Sequence, residues 1–143
     1  MSTSLRHIGI VVQDLDKCVK FWEDNFGFMV RVNQLEKGIF IENLLGIPSV
    51  NVQTVKMKGI TETEVELLKF YPSTVEDNWG GSVRKIGITH IALNVSNLDK
   101  VLDNLLRDGY SPIHKPQISD DESFKVCYIA VVEGLLLELV EKI

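Results

Sequence analysis

Two of the three histidines in this chain of 143 residues stand in matching sequence contexts. His7 opens the stretch "HIGIVVQDLDK" and His90 opens "HIALNVSNLDK", and the two stretches align without a gap. The segments that close the two halves also match, since "EVELLKF" places Glu66 where "LLLELVE" places Glu138. Imidazole nitrogens and carboxylate oxygens are donors that divalent metal ions accept in proteins.

Strand alternation places these four residues on one kind of surface. Successive side chains of a strand point to opposite faces, so His7 shares a face with Gly9 while apolar neighbours share the other. The same holds for His90, Glu66 and Glu138 in their own strands. Each half thus has one apolar face that can pack under a helix. The other face carries small residues beside the histidine and the glutamate, which indicates a cavity. The four polar residues together predict a metal site there. The alternative is that each histidine is a hydrogen-bonded structural residue and each glutamate is merely solvated.

The elements that must position these residues repeat along the chain as well. We expect one domain, 1–143, of class α+β, built from two βαβββ modules over about 5–70 and 87–141 and joined by a linker at 71–86. The first module is predicted to have strands near 5–12, 28–34, 37–42, 50–58 and 63–70, and a helix that begins at Asp14 or Asp16 and stops at Gly27. The second is predicted to have strands near 87–95, 110–115, 124–131 and 134–141, and a helix over 97–108 that ends at Gly109.

The composition argues against several classes of protein. A net charge of −5 without long charged runs disfavours nucleic acid and anionic membrane surfaces as partners. The apolar runs are far shorter than a membrane span, and the N-terminus lacks the layout of a signal peptide. Two cysteines, Cys18 and Cys127, lie inside predicted elements and fit a reducing compartment. These features indicate a soluble, acidic, cytoplasmic domain.

The chain resembles the vicinal oxygen chelate superfamily over nearly its whole length, through "RHIGIVVQDLDKCVKFWEDNFGF", "VELLKF", "THIALNV" and "GLLLELVE". That superfamily includes glyoxalase I, methylmalonyl-CoA epimerase, extradiol dioxygenases, and fosfomycin- and bleomycin-resistance proteins. The resemblance implies paired modules that form a cup-shaped, barrel-like mixed sheet with helices outside. It implies one divalent metal ion held by His7, Glu66, His90 and Glu138. It also implies a homodimer.

The resemblance favours a metal-dependent lyase or isomerase of the glyoxalase or epimerase kind, acting on a small carbonyl substrate through an enolate or enediolate. Glu66 or Glu138 would also act as the base, with Glu138 preferred by analogy, and the ion would be Ni, Co, Zn or Mn. One alternative is an extradiol-type dioxygenase with Fe(II). Another is a drug- or metabolite-binding protein without catalysis. Neither the substrate nor the use of glutathione or coenzyme A follows from these residues.

A few further residues carry weaker expectations. Trp79 is the one aromatic residue that would line a binding groove, while Arg84 and Lys85 could receive a substrate carboxylate or phosphate. The acidic stretch 119–123 is expected to be a solvated loop, with a lid as the alternative. His114 has no counterpart in the first half, so we expect a surface or pocket-rim position rather than a metal ligand.

Overall fold

A computed structural model of the chain describes residues 2–73, 84 and 86–143. The predicted α+β class is confirmed, with two four-stranded sheets of mixed strand direction. The chain divides into two compact units, Met1–Glu76 and Asp77–Ile143. Most of the expected linker, together with Trp79 and Lys85, lies outside the described residues. Within the part that is described, no helix has both the length and the apolar character needed to cross a membrane.

The elements follow one another in a repeated order. The first unit contains β1 (Ile8–Val11), α1 (Leu15–Phe26), β2 (Met29–Lys37), α2 (Ile39–Leu45), β3 (Asn51–Lys58) and β4 (Glu64–Tyr71). The second contains β5 (Ile91–Asn94), α3 (Leu98–Arg107), β6 (Gln117–Ile118), β7 (Phe124–Ala130) and β8 (Leu136–Lys142). The predicted βαβββ order is therefore present in the second unit, and in the first it is interrupted by α2.

The two sheets have the same topology. Their strand orders are β1-β4-β3-β2 and β5-β8-β7-β6, so the first and last strands of each unit are neighbours. Those neighbouring strands run parallel, whereas the other pairs run antiparallel. The strands that bear the candidate ligands therefore lie side by side within each unit.

The first helix begins and ends where the sequence predicts. The Asp14 side chain accepts a hydrogen bond from the backbone N–H of Lys17, which satisfies one of the free donors at the helix start. Gly27 takes the left-handed conformation, with φ of 66°, that ends the helix. Trp22 is 1% exposed and contacts the ring of Phe28 at a centroid distance of 5.0 Å. This aromatic contact joins α1 to the segment that leaves the helix.

The strand predicted at 37–42 is wrong. β2 extends to Lys37, Gly38 then turns the chain with φ of 95°, and α2 follows. The run Ile39-Phe40-Ile41 has the residue types of a strand, which explains the error. As a helix, the segment buries Ile41 against Val50 and Val52, which stabilises this conformation. Gly46 ends the helix.

The strand predicted at 110–115 is also wrong. That segment makes a single isolated bridge, from Pro112 to Ile129, and the strand β6 begins only at Gln117. Pro112 and Pro116 lack the backbone N–H that a regular ladder needs, so pairing starts after the second proline. The predicted stop of α3 is nearly right, because the helix ends at Arg107 and Gly109 has φ of 89°.

Candidate metal centre

Each unit carries one histidine and one glutamate at equivalent positions. His7 directly precedes β1, and Glu66 lies in β4, in register with Gly9. His90 directly precedes β5, and Glu138 lies in β8, in register with Ala92. In both units a residue without a large side chain therefore lies opposite the glutamate, two positions after the histidine. The sequence also predicted that Glu66 points away from the apolar face of its strand. This is correct, because its neighbours in β4, Val65 and Leu67, are buried.

In the first unit the histidine and the glutamate are in direct contact. The Nε2 atom of His7 lies 2.6 Å from Oε2 of Glu66, and the two side chains are 31% and 13% exposed. The other ring nitrogen, Nδ1 of His7, is buried and has no hydrogen-bond partner. This first pair, His7–Glu66, is therefore held through one ring nitrogen only.

In the second unit the corresponding contact is surrounded by further polar groups. The Nε2 atom of His90 lies 3.1 Å from Oε2 of Glu138, and the side chains are 28% and 24% exposed. The Oγ1 atom of Thr89 lies 2.8 Å from Nδ1 of His90, and the hydroxyl of Tyr128 lies 3.3 Å from Nε2. The rings of His90 and Tyr128 meet edge to face, with centroids 5.0 Å apart. This second pair, His90–Glu138, therefore has partners on both ring nitrogens.

Tyr128, next to the second pair, has a shifted pKa. Burial raises the pKa of Tyr128, and the negative charge of Glu138 together with the hydrogen bond between the two side chains raises it further. Tyr128 therefore stays a neutral hydroxyl that can donate a hydrogen bond at neutral pH.

The residues opposite the two glutamates differ in chemistry. Tyr128 in β7 is the register partner of Glu138 in β8, and Lys56 in β3 is the register partner of Glu66 in β4. Lys56 makes no hydrogen bond or ion pair with the residues that the structure describes. The two units thus share the same strand register at the glutamate, but the side chains opposite it make different contacts.

The contacts within each pair suit a divalent transition metal. Two imidazoles and two carboxylates form a nitrogen and oxygen donor set of the kind that binds Zn, Ni, Co or Mn. Within each pair the Nε2 and Oε2 atoms lie 2.6 and 3.1 Å apart, so one nitrogen donor and one oxygen donor are available side by side. The residues therefore fit the group that the sequence predicts.

The structure brings the four residues together as two pairs. No group of three or more histidine, cysteine, aspartate or glutamate side chains that could hold a metal occurs within residues 2–73, 84 and 86–143. Binding of one ion by all four side chains stays a prediction.

An open cleft gives access to the first pair. It has a volume of about 330 Å³ and is lined by residues 5–7 and 61–64, so His7 forms part of its wall. The lining combines apolar surface with the charged residues Arg6, Glu62 and Glu64. The cleft therefore leaves part of His7 open to a small molecule.

The other candidate residues lie apart from these pairs. His114 is exposed, as expected, and its Nδ1 atom lies 3.1 Å from the carbonyl of Lys115. Arg84 is exposed. In the acidic stretch 119–123, Asp121 accepts hydrogen bonds from the Ser119 hydroxyl and the Ser123 N–H, which lower its pKa and form a tight turn.

Sequence reasoning missed Thr89, Tyr128 and Lys56. A signal was present, because Tyr128 and Lys56 each lie ten residues before their glutamate in the sequence, on the preceding strand of a hairpin. Antiparallel pairing around the turn brings such positions side by side. Finding them needed the exact register of the hairpin, which the predicted strand ends did not supply.

Comparison with known proteins shows which family and which solved structures this chain is similar to. The family model described as "Glyoxalase/Bleomycin resistance protein/Dioxygenase superfamily" matches residues 6–128. A search of curated proteins finds no match. A glyoxalase family protein from Bacillus cereus is 24% identical, with a TM-score of 0.91 over 100% of this chain and 96% of that one.

Two further solved structures are similar to this chain at lower identity. A variant of glyoxalase I from Zea mays is 20% identical, with a TM-score of 0.68 over 94% of this chain and 43% of that one. A variant of the fosfomycin resistance protein FosX from Listeria monocytogenes, complexed with Mn(II) and 1S,2S-dihydroxypropylphosphonic acid, is 16% identical. Its TM-score is 0.62, over 97% of this chain and 90% of that one. These likenesses show a common fold.

Proposed function

Because the chain belongs to the glyoxalase/bleomycin resistance protein/dioxygenase superfamily, we propose that it is a metal-dependent lyase or isomerase of the glyoxalase kind. Its substrate is a small carbonyl compound, and the reaction moves a proton at the carbon next to the carbonyl. The observation that supports this proposal is the repeated histidine–glutamate contact at the same register position in both units.

We assign His7, Glu66, His90 and Glu138 as the ligands of one divalent ion. When bound, the ion would act as a Lewis acid on neighbouring oxygens of the substrate. Ni, Co, Zn and Mn all accept such a donor set, and the affinity of the site alone does not select among them. The Mn(II) in the FosX complex supports a divalent ion in this fold.

One of the two carboxylates is proposed as the base. A general base must lie within hydrogen-bond reach of the proton that it removes. Glu66 and Glu138 are 13% and 24% exposed, so each is shielded from bulk water and still open to a bound molecule. Their nearest polar neighbours are imidazoles, which position the carboxylate oxygens. The family analogy prefers Glu138.

The proposal extends to the setting in which the protein works. We propose a cytoplasmic homodimer that binds a small molecule and neither nucleic acid nor membrane. The net charge of −5 supports the absence of polyanionic partners. Two-fold symmetric dimers are the commonest soluble oligomers, which supports the dimer.

The decisive experiment measures metal content by elemental mass spectrometry on protein purified without a histidine tag. We expect close to one equivalent of a transition metal in the unaltered protein, and loss of that metal in both His7→Ala and His90→Ala. His114→Ala is the matched control, because it removes the remaining histidine, which is exposed. It should retain the metal.

The substrate screen follows with the bound ion in place. It should contain 2-oxoaldehyde–thiol adducts and acyl-CoA thioesters, which carry the neighbouring oxygen or the acidic proton that this chemistry needs. Oxygen uptake with Fe(II) and a catechol would instead establish a dioxygenase. Failure to bind any of Ni, Co, Zn, Mn and Fe(II) would overturn the enzyme proposal in favour of a binding protein.

A further inference from the structure

Tyr128 is the polar group that most clearly distinguishes the second pair from the first. Its hydroxyl lies 3.3 Å from Nε2 of His90, its ring packs edge to face on the imidazole, and its register partner is Glu138. Tyr128 therefore contacts His90 directly and lies beside Glu138 in the sheet. Its position on β7, in the middle of the second sheet, gives it a rigid support.

Thr89 completes the arrangement from the opposite side of the imidazole. Its Oγ1 atom lies 2.8 Å from Nδ1 of His90. A hydroxyl can donate or accept, so Thr89 can pair with Nδ1 whether or not that nitrogen carries the proton. When a ligand takes Nε2 of His90, the proton can therefore reside on Nδ1 without leaving a polar atom unsatisfied.

The first pair lacks both supports. The Nδ1 atom of His7 is buried without a partner, and Lys56, opposite Glu66, makes no contact of this kind with the described residues. A proton placed on Nδ1 of His7 would have no acceptor, and an unsatisfied buried polar group is unfavourable. The two pairs share a backbone register but differ in how firmly their side chains are fixed.

We propose that Tyr128 is a positioning residue that holds the His90 ring and the Glu138 carboxylate in the geometry for binding a divalent metal. This inference rests on the proposed function, because it takes those two residues as ligands. With Nε2 of His90 as a ligand, the Tyr128 ring would still support the imidazole, and its hydroxyl would remain beside Glu138, its register partner. Outer groups of this kind orient ligands, and their removal typically weakens metal binding by about 10-fold to 100-fold.

The test compares two substitutions at the same register position. Tyr128→Phe removes only the hydroxyl and keeps the ring against His90, while Lys56→Met is the matched control opposite Glu66. Binding of Co(II) alone is followed by its visible absorption, with a competing chelator to obtain the Kd. We expect Tyr128→Phe to weaken Co(II) binding by at least about 10-fold and to change the Co(II) spectrum. Lys56→Met should change the Kd by less than about 2-fold. Thermal unfolding establishes that both variants are folded.

A second readout needs neither metal nor substrate. Long-range ¹H–¹⁵N NMR of the metal-free protein reports the tautomer of each histidine. Tyr128→Phe should shift the His90 nitrogen signals and leave those of His7 and His114 in place. The inference is overturned if Tyr128→Phe matches the unaltered protein in both readouts, or if both variants weaken Co(II) binding equally. If the unaltered protein binds no Co(II), the proposed function fails, and the NMR comparison alone decides whether Tyr128 holds His90.

Discussion

Glu66 and Glu138 occupy the same register position in two sheets, each opposite the second residue after a histidine. They differ in the residues around them. Glu66 contacts the imidazole of His7 and lies opposite Lys56, whereas Glu138 contacts the imidazole of His90 and lies opposite Tyr128. A repeated backbone thus presents two unequal carboxylates.

The choice of base is predicted to favour Glu138. Its carboxylate lies farther from its imidazole than that of Glu66, at 3.1 Å against 2.6 Å, and is the more exposed of the two. We therefore expect Glu138→Gln to lower kcat by about 10²-fold to 10⁴-fold and Glu66→Gln to lower it less. The measurement is kcat at saturating metal, on the substrate found by the screen. A larger loss of kcat in Glu66→Gln would make Glu66 the base.

The docking of α2 is predicted to depend on one side chain. Ile41 is 5% exposed and packs on Val50 and Val52, whereas Phe40 beside it is 79% exposed. A helix of this length is not stable in isolation. Ile41→Ala should therefore cost about 2–5 kcal/mol of local stability and speed amide exchange in α2 by at least about 10-fold. Phe40→Ala is the control and should leave exchange unchanged; equal protection in the two variants would contradict this packing.

Both cysteines are predicted to be unreactive in the folded protein. Cys18 and Cys127 are 1% and 4% exposed, and burial raises the pKa of the Cys127 thiol above its usual 9.0. A raised pKa in the folded state disfavours the reactive thiolate there. The stability that the protonated Cys127 thiol contributes is therefore fully present below pH 9.0. It is lost as the pH rises through the pKa of this thiol in the folded protein. A thiol-labelling reagent at pH 8 should react at least about 10²-fold faster after unfolding. Rapid labelling of native protein would show that Cys127 is accessible.

The proposed homodimer predicts a mass of twice 16.1 kDa in solution. Light scattering coupled to size exclusion, at micromolar concentration, measures this directly. A concentration series should give an unchanged mass if the dimer is stable and a falling mass if it dissociates. A mass of one chain throughout the series would show that the protein is a monomer.

The sequence predicted the features that depend on short-range pattern. Alternation along "HIGIVV" and "EVELLKF" placed His7 and Glu66 on one side of their strands, because an apolar face must be buried. The cap at Asp14 and the stop at Gly27 were predictable because each acts within one helical turn. The internal repeat then carried the same prediction to the second unit.

The features that the sequence did not reveal depend on contacts between distant segments. The residues of α2 favour a strand locally, and only burial of Ile41 against β3 selects the helix. β6 could not be placed because Pro112 and Pro116 delay pairing. The contact between Tyr128 and His90 joins residues 38 positions apart, and no local pattern encodes it.

The α2 segment also shows where this fold tolerates exchange of sequence. Lys37 and Asn51 are direct partners in the ladder between β2 and β3, so residues 38–50 leave and return at adjacent points. A turn of two to five residues is enough to join such ends. A connection of another length or sequence could therefore join β2 to β3 without changing their register, provided that it also covers Val52, as Ile41 and Val50 do here.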